Sequence, residues 1–297
     1  MRTLIYPLSL IILLSSCGDS KNKADAWGNF ESREIMISSQ INGKVLSMNV
    51  NQGDVIKEGD LVAITDTVVF RLQITELEAK RNSVRTRLRS IDAENDIIDQ
   101  QISNLKVDIE RVKSMLQDKA ATKKQLDDLS GRLQVLEKQK EANKTRKMTV
   151  KSELNAFDAA EVLLQEQLNR CYVKSPAGGT ILEKYSEAGE ITAAARPLVK
   201  LADLKNMILK VYISGAQLGQ VKLGQECKVR IDSGEKEYTE YTGRVIHIAD
   251  EAEFTPKIIQ TKEERVHLVY AVKILVKNDG SIKNGMPAET FFNTSIQ

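Results

Sequence analysis

A short pattern occurs twice in this chain, and 105 residues of a different character (67–171) lie between the two copies. The first copy is Ile41-Asn42-Gly43-Lys44-Val45-Leu46, then Gly53, then Leu61-Val62-Ala63-Ile64-Thr65-Asp66. The second is Ala177-Gly178-Gly179-Thr180-Ile181-Leu182, then Gly189, then Leu198-Val199-Lys200-Leu201-Ala202-Asp203. Both copies set two glycines ten residues apart, Gly43 to Gly53 and Gly179 to Gly189. Each alternates short β-type runs with glycine turns. Neither half is large enough to bury a core alone, so the two are expected to pair as one flattened, barrel-like sandwich. A single compact α/β enzyme domain does not fit this organisation.

The interruption has the composition of a helical rod. No aromatic residue lies between Phe70 and Phe157, and Gly131 is the only glycine between Gly59 and Gly178. Apolar residues recur every seven positions at Leu77, Val84, Ile91, Ile98, Leu105 and Val112. A second row, Leu88, Ile102, Ile109 and Leu116, interleaves at three and four and is broken by Asn95. The return arm carries Leu126, Leu133, Leu154 and Leu168 beside Leu129, Leu136, Val150, Phe157 and Leu164, interrupted by Lys140, Asn143 and Lys147. This is the heptad seam of a coiled coil. The first helix is expected to end near Asp118-Lys119, and Thr122-Lys123-Lys124-Gln125 reads as a capping box that starts the second. About fifty residues per arm, at ~1.5 Å each, make a hairpin roughly 75 Å long. Folding about residue 120 sets Asn95 opposite Asn143 or Lys144. A polar pair there would fix the register; a locally loosened rod is the other reading.

Charge excludes one class of function. The chain has 43 Lys and Arg against 41 Asp and Glu, so there is no general electrostatic attraction to nucleic acid. The rod holds 20 basic and 17 acidic side chains. Its cluster Lys80, Arg81, Arg85, Arg87 and Arg89 reads as a solvated helix face, because nucleic-acid readers add stacking aromatics.

After Asp203, runs at Met207–Ile213, Cys227–Ile231, Tyr241–Ile248 and Val266–Ile274 alternate as strands between glycine turns, which suggests a small β-barrel. At the other end, an apolar run from Leu4 to Leu14 is too short for a permanent span and suits a signal-peptide core. It ends in Leu14-Ser15-Ser16-Cys17, which resembles a bacterial lipobox, with Cys17 as the lipidated residue. Gly18–Lys23 then reads as a polar tether. Cys171 and Cys227 read as small buried residues, with a disulfide between them left open. The two histidines, His247 and His267, read as plain strand residues, and no metal or cofactor site is expected.

A lipoyl-like domain split by a coiled-coil hairpin and followed by a β-barrel resembles the HlyD-type periplasmic adaptors, or membrane fusion proteins, over nearly the whole mature chain. Residues Ala252–Lys257, Leu268-Val269-Tyr270 and Gly285-Met286-Pro287 resemble the branch that works with ABC-type exporters. The resemblance implies an elongated α+β fold. Its parts would be a signal peptide (1–17), a tether and membrane-proximal stretch (18–34), a split lipoyl-like domain (35–66 with 172–203), the hairpin (67–171) and a β-barrel domain (204–297). The family docks its hairpin tip on a TolC-type outer-membrane channel through an Arg-x3-Leu-x6-Ser pattern. Here the spacing reads Arg111, Met115 and Thr122, with Met and Thr as departures. The implied protein is not an enzyme. It would be a homo-hexameric funnel in the periplasm, lipid-anchored to the inner membrane, joining an ABC exporter to the channel.

Other functions fit less well. A lipoyl or biotinyl carrier needs a lysine at the turn joining its halves, and the rod replaces that turn. No GxSxG, HExxH or phosphate-cradling glycine loop is present. A purely structural coiled-coil lipoprotein has no need of a β-domain at the foot of its hairpin. An adaptor for a proton-driven pump is the nearest alternative.

Overall fold

The computed structural model describes residues 24–234, 237–254 and 268–292. Four strands come first: β1 (Ala26–Ser38), β2 (Gly43–Met48), β3 (Val55–Ile56) and β4 (Leu61–Thr65). Two long helices follow, α1 (Val68–Gln117) and α2 (Lys123–Asn169). The chain then returns through β5 (Tyr172–Lys174), β6 (Gly179–Lys184), β7 (Ile191–Thr192) and β8 (Pro197–Ser214). A short helix α3 (Gly215–Leu218) leads to β9 (Glu226–Asp232), β10 (Tyr238–Ile248), β11 (Glu253–Phe254), β12 (Leu268–Lys277) and β13 (Pro287–Phe292).

The two halves of the repeat interlock. Strands from before the helices pair with strands from after them: β2 with β7, β3 with β6 and β4 with β5. The exchange is two-fold, each residue matching the one 136 positions later (43 to 179, 53 to 189). The Gly53 amide donates to the Ile181 carbonyl at 2.8 Å while the Ile181 amide donates to Asp54. In mirror fashion, the Gly189 amide donates to the Val45 carbonyl at 2.8 Å and the Val45 amide to Glu190. Gly53 and Gly189 have φ of 92° and 99°, the left-handed region where glycine alone carries no Cβ penalty. Val45 and Ile181 are both buried in a core with Val62, Leu198 and Leu201, to which the helices contribute no residue.

The same symmetry exposes one imperfect position. Gly59 and Ala195 occupy equivalent turns, donating to the carbonyls of Ser175 and Ser39, and both have positive φ, 85° and 67°. An alanine there bears a steric cost of about 1 kcal/mol that its glycine counterpart avoids. Ala195→Gly is therefore expected to raise stability by no more than about 0.5 kcal/mol, the relief of strain slightly exceeding the entropy that glycine adds to the unfolded chain. A denaturant midpoint at or below the parent's would contradict this.

The second core lies in a closed ring of six strands. Going round, β8 pairs with β1, β1 with β13, β13 with β9, β9 with β10, β10 with β12 and β12 again with β8. Closure leaves no exposed ladder edge. Phe30, Met207, Leu209, Val229, Ile274 and Phe292 fill its interior. One expected boundary changes here. Residues 26–34 were expected within a tether; they form β1, with Ala26 and Phe30 wholly buried. The expected boundary at 203/204 does separate the two cores, although no strand ends there: it falls inside β8, an 18-residue strand that runs through both β modules. Its first part pairs with β6 and its second with β12, while β1 accompanies it along both.

The helices pack antiparallel, as inter-helix ion pairs show: Arg81 with Asp158 at 3.4 Å, Arg87 with Glu153, Asp92 with Lys147, Asp99 with Lys140. Three of the five clustered basic residues, Lys80, Arg81 and Arg87, are thus paired with acids. The buried α1 residues Val84, Ile91, Ile98, Ile102 and Ile109 are all heptad positions. At mid-length Asn143 is buried and accepts from Arg146 at 3.4 Å, while its amide nitrogen and the Asn95 carbonyl oxygen are buried without partners. The two asparagines bring an acceptor and a donor to one level, flanked by the Asp92–Lys147 and Asp99–Lys140 pairs. No hydrogen bond joins them, so the register is held by the flanking ion pairs and the apolar rows.

Candidate partner-docking site

The far end of the helical pair is a tightly closed turn. Helix α1 stops in a Schellman motif: the Ala120 amide donates to the Met115 carbonyl at 2.7 Å and the Lys119 amide to Leu116. Lys119 takes the left-handed position usual for glycine, with φ of 60°. Helix α2 opens in the capping box read from the sequence. The Gln125 amide donates to the Thr122 hydroxyl at 3.3 Å, and the Thr122 amide donates back to the Gln125 side chain at 2.8 Å. Both helix ends are therefore satisfied without a partner, and the turn is preorganised.

Arg111 lies about 9 Å below the end of α1, at ~1.5 Å per residue. It is exposed, and its guanidinium holds Asp108 at 3.0 Å one turn earlier. Met115 is 41% exposed, an unusual state for a thioether beside an apolar seam. Thr122 is exposed at the turn, but its hydroxyl is engaged twice with Gln125, so its role is capping. The three residues share the distal end of the pair as a basic and apolar surface, with Thr122 shaping its edge. Asp108 was not singled out from the sequence, although its i,i+3 spacing to Arg111 was the available signal. Nor was the consequence of Gly131, which opens a groove of about 740 Å³ lined by Leu105, Asp108, Asp128 and Val135.

Other residues singled out from the sequence play structural parts. Cys17 and His267 lie outside the described residues, as do Thr255, Pro256 and Lys257. Gly285 and Met286 form the turn before β13, bonded to both polar groups of the Phe30 backbone at 2.7 and 2.9 Å. His247 is exposed at an irregularity in β10. Cys171 and Cys227 are free and buried, and burial pushes the Cys227 thiol up to about 12, which makes it unreactive at neutral pH. Among the described residues no cluster could hold a metal, and no helix is long and apolar enough to cross a membrane.

A long two-helix excursion from a two-module β-body can be set against known proteins. MacA from Actinobacillus actinomycetemcomitans superposes with a TM-score of 0.61 at 21% identity, covering 89% of this chain and 76% of that one. The membrane fusion protein of Streptococcus pneumoniae R6 superposes with a TM-score of 0.51 at 17% identity, covering 90% and 97%. The chain has the fold of a membrane fusion protein. In sequence it is similar to UPF0194 membrane proteins. It is 25% identical to one from Acidithiobacillus ferridurans over 286 residues, 88% of this chain and 84% of that protein. It is 24% identical over 324 residues to one from Yersinia enterocolitica, covering 98% of each. No family model matches the chain.

Proposed function

We propose that this protein is the periplasmic adaptor of a tripartite export system, joining an inner-membrane ABC transporter to a TolC-type outer-membrane channel. The observation that carries the reading is the membrane-fusion fold with its helical pair, about 75 Å long at ~1.5 Å per residue. In this reading the protein catalyses nothing; ATP is hydrolysed by the transporter. Lipidated Cys17 anchors the chain to the inner membrane. The interlocked repeat is a lipoyl-like domain that packs laterally into a hexameric ring, and the coiled-coil hairpin extends from it. The barrel domain lies near the transporter. The ABC branch draws its support from the Leu268-Val269-Tyr270 and Gly285-Met286-Pro287 segments.

The docking surface is the tip, with Arg111 as the donor to acceptors on the channel and Met115 as its apolar contact. Arg111→Asp tests this. The change removes one exposed ion pair and sets Asp beside Asp108, so it should cost only a few tenths of a kcal/mol in stability. Export and co-purification of the channel should be lost. Arg87→Asp, near the base, should have the weaker effect on channel binding. Normal export by the Arg111 variant, or greater damage from the Arg87 variant, would move the docking site elsewhere.

A further inference from the structure

On the outside of the six-stranded barrel, β1, β8, β9 and β13 enclose a groove of about 540 Å³. Trp27 and Tyr212 stand directly opposite one another across the β1–β8 ladder and line it together. Trp27 is 52% exposed, and it is the only tryptophan in the chain. Large aromatic side chains left open on one wall of a concave surface supply both apolar area and a negative π face.

The charges around these rings do not cancel. Three carboxylates line the groove, from Glu31, Asp232 and Glu289. Glu289 sits beside Trp27 on the neighbouring strand and accepts its indole N–H at 3.3 Å. Glu31 and Asp232 have no side-chain partner among the described residues. The two cations in the lining are engaged by acids outside it. Lys210 holds Glu253 at 3.3 Å and stands over the Tyr212 ring, 5.2 Å from its centroid, and Arg230 holds Glu240 at 3.2 Å, an acid that Lys228 shares. Arg230 is further occupied by the rings of Phe291 and Tyr238, at 4.6 and 5.1 Å from their centroids. Tyr212 is thus already covered by a cation, and the groups left without an ion-pair partner beside Trp27 and along the groove are carboxylates.

We propose that this groove binds an organic cation with an aromatic or alkyl body. The cationic centre lies toward the unpaired carboxylates that line the groove, and the body lies against Trp27. Its volume falls in the range of small-molecule sites, roughly 300–1,000 Å³. The site is separate from the docking tip and does not depend on the adaptor reading. Its test is correspondingly independent of export.

Tetraphenylphosphonium is the probe, read by the emission of Trp27 in the full chain, with no other tryptophan contributing. The expected result is a saturable change in emission that neutral triphenylphosphine oxide does not reproduce. The double variant Glu31→Gln, Asp232→Asn should bind about tenfold more weakly, the loss of two attractive charges at an exposed site, while melting as the parent does. Trp27→Ala, followed by calorimetry, should abolish measurable heat of binding. A non-saturating response, equal binding of the neutral compound, or an unchanged affinity in the double variant would each overturn the proposal.

Discussion

Gly28→Ala is expected to destabilise the barrel by about 3 kcal/mol or more, although it adds a single methyl group. A Cβ at Gly28 would lie 1.8 Å from the Lys210 carbonyl oxygen, 2.6 Å from its carbon and 2.8 Å from the Val211 Cα. All three are backbone atoms of β8, so no side chain can rotate aside. The strands must separate, and Gly28 pairs with Val211 near the barrel end of the β1–β8 ladder, where β1 is also paired with β13 on its other side. Trp27 fluorescence reports directly on the neighbouring residue during denaturant unfolding. The control is Gly131→Ala in α2, where an added Cβ meets nothing within 4 Å and should gain about 1 kcal/mol of helix propensity. A Gly28→Ala midpoint equal to the parent's would show that the two strands can part at little cost.

Excision of the helical pair should leave a folded protein. Removing residues 75–165 and joining the stubs with a short flexible linker takes away most of two helices of 50 and 47 residues. The interlocked core contains no helical residue, and the barrel core contains none from α1 or α2. The chain ends left behind are already neighbours. The Thr65 amide and hydroxyl both donate to the Cys171 carbonyl, at 2.9 and 3.2 Å, where β4 meets β5. Closing such a gap costs little loop entropy. The expected product loses most of its helical circular dichroism, keeps β-type signal and melts cooperatively. Aggregation across several linker lengths would mean that the two halves of the repeat do not stabilise one another as their hydrogen bonds suggest.

The α+β class and the placing of the long helices were legible because their signals are periodic or repeated. A heptad needs no partner to be read, and the positions it marks, from Val84 to Ile109, are those that α1 buries. The capping box at Thr122 is a local rule and was legible for the same reason. Strand β1 was not. Its inward residues at the start are Ala26, Gly28 and Phe30, and two of these carry almost no hydrophobic signal. Small residues stand there because the β1 and β8 backbones approach closely. The break expected after Asp203 had the polar look of a turn. Instead its carboxylate accepts the amides of Lys205 and Asn206 while the strand continues. At the tip, the spacing of Arg111 and Thr122 was legible, but the left-handed Lys119 was not, since glycine is the usual residue at that position. The groove beside Trp27 draws on four strands distant in sequence, and only their pairing makes it.

Strands β1 and β8 run side by side from one β module into the other, 13 and 18 residues long and paired along both. At the junction the two strands stay continuous while their ladder skips Ser32 on one side and residues 204–207 on the other. The two modules are therefore coupled through two continuous strands and not through a separate linker. A sideways load at the far end of the helices enters the body at the short connections beside Thr65 and Cys171 and passes on to the barrel through these two strands. Rotation of the barrel would in turn sweep the tip through an arc magnified by the length of the arm. Of the two irregularities in the β1–β8 register, the one between Glu31 and Arg33 lies at the junction, and Asn284, which accepts the Ser32 amide at 2.7 Å, braces it.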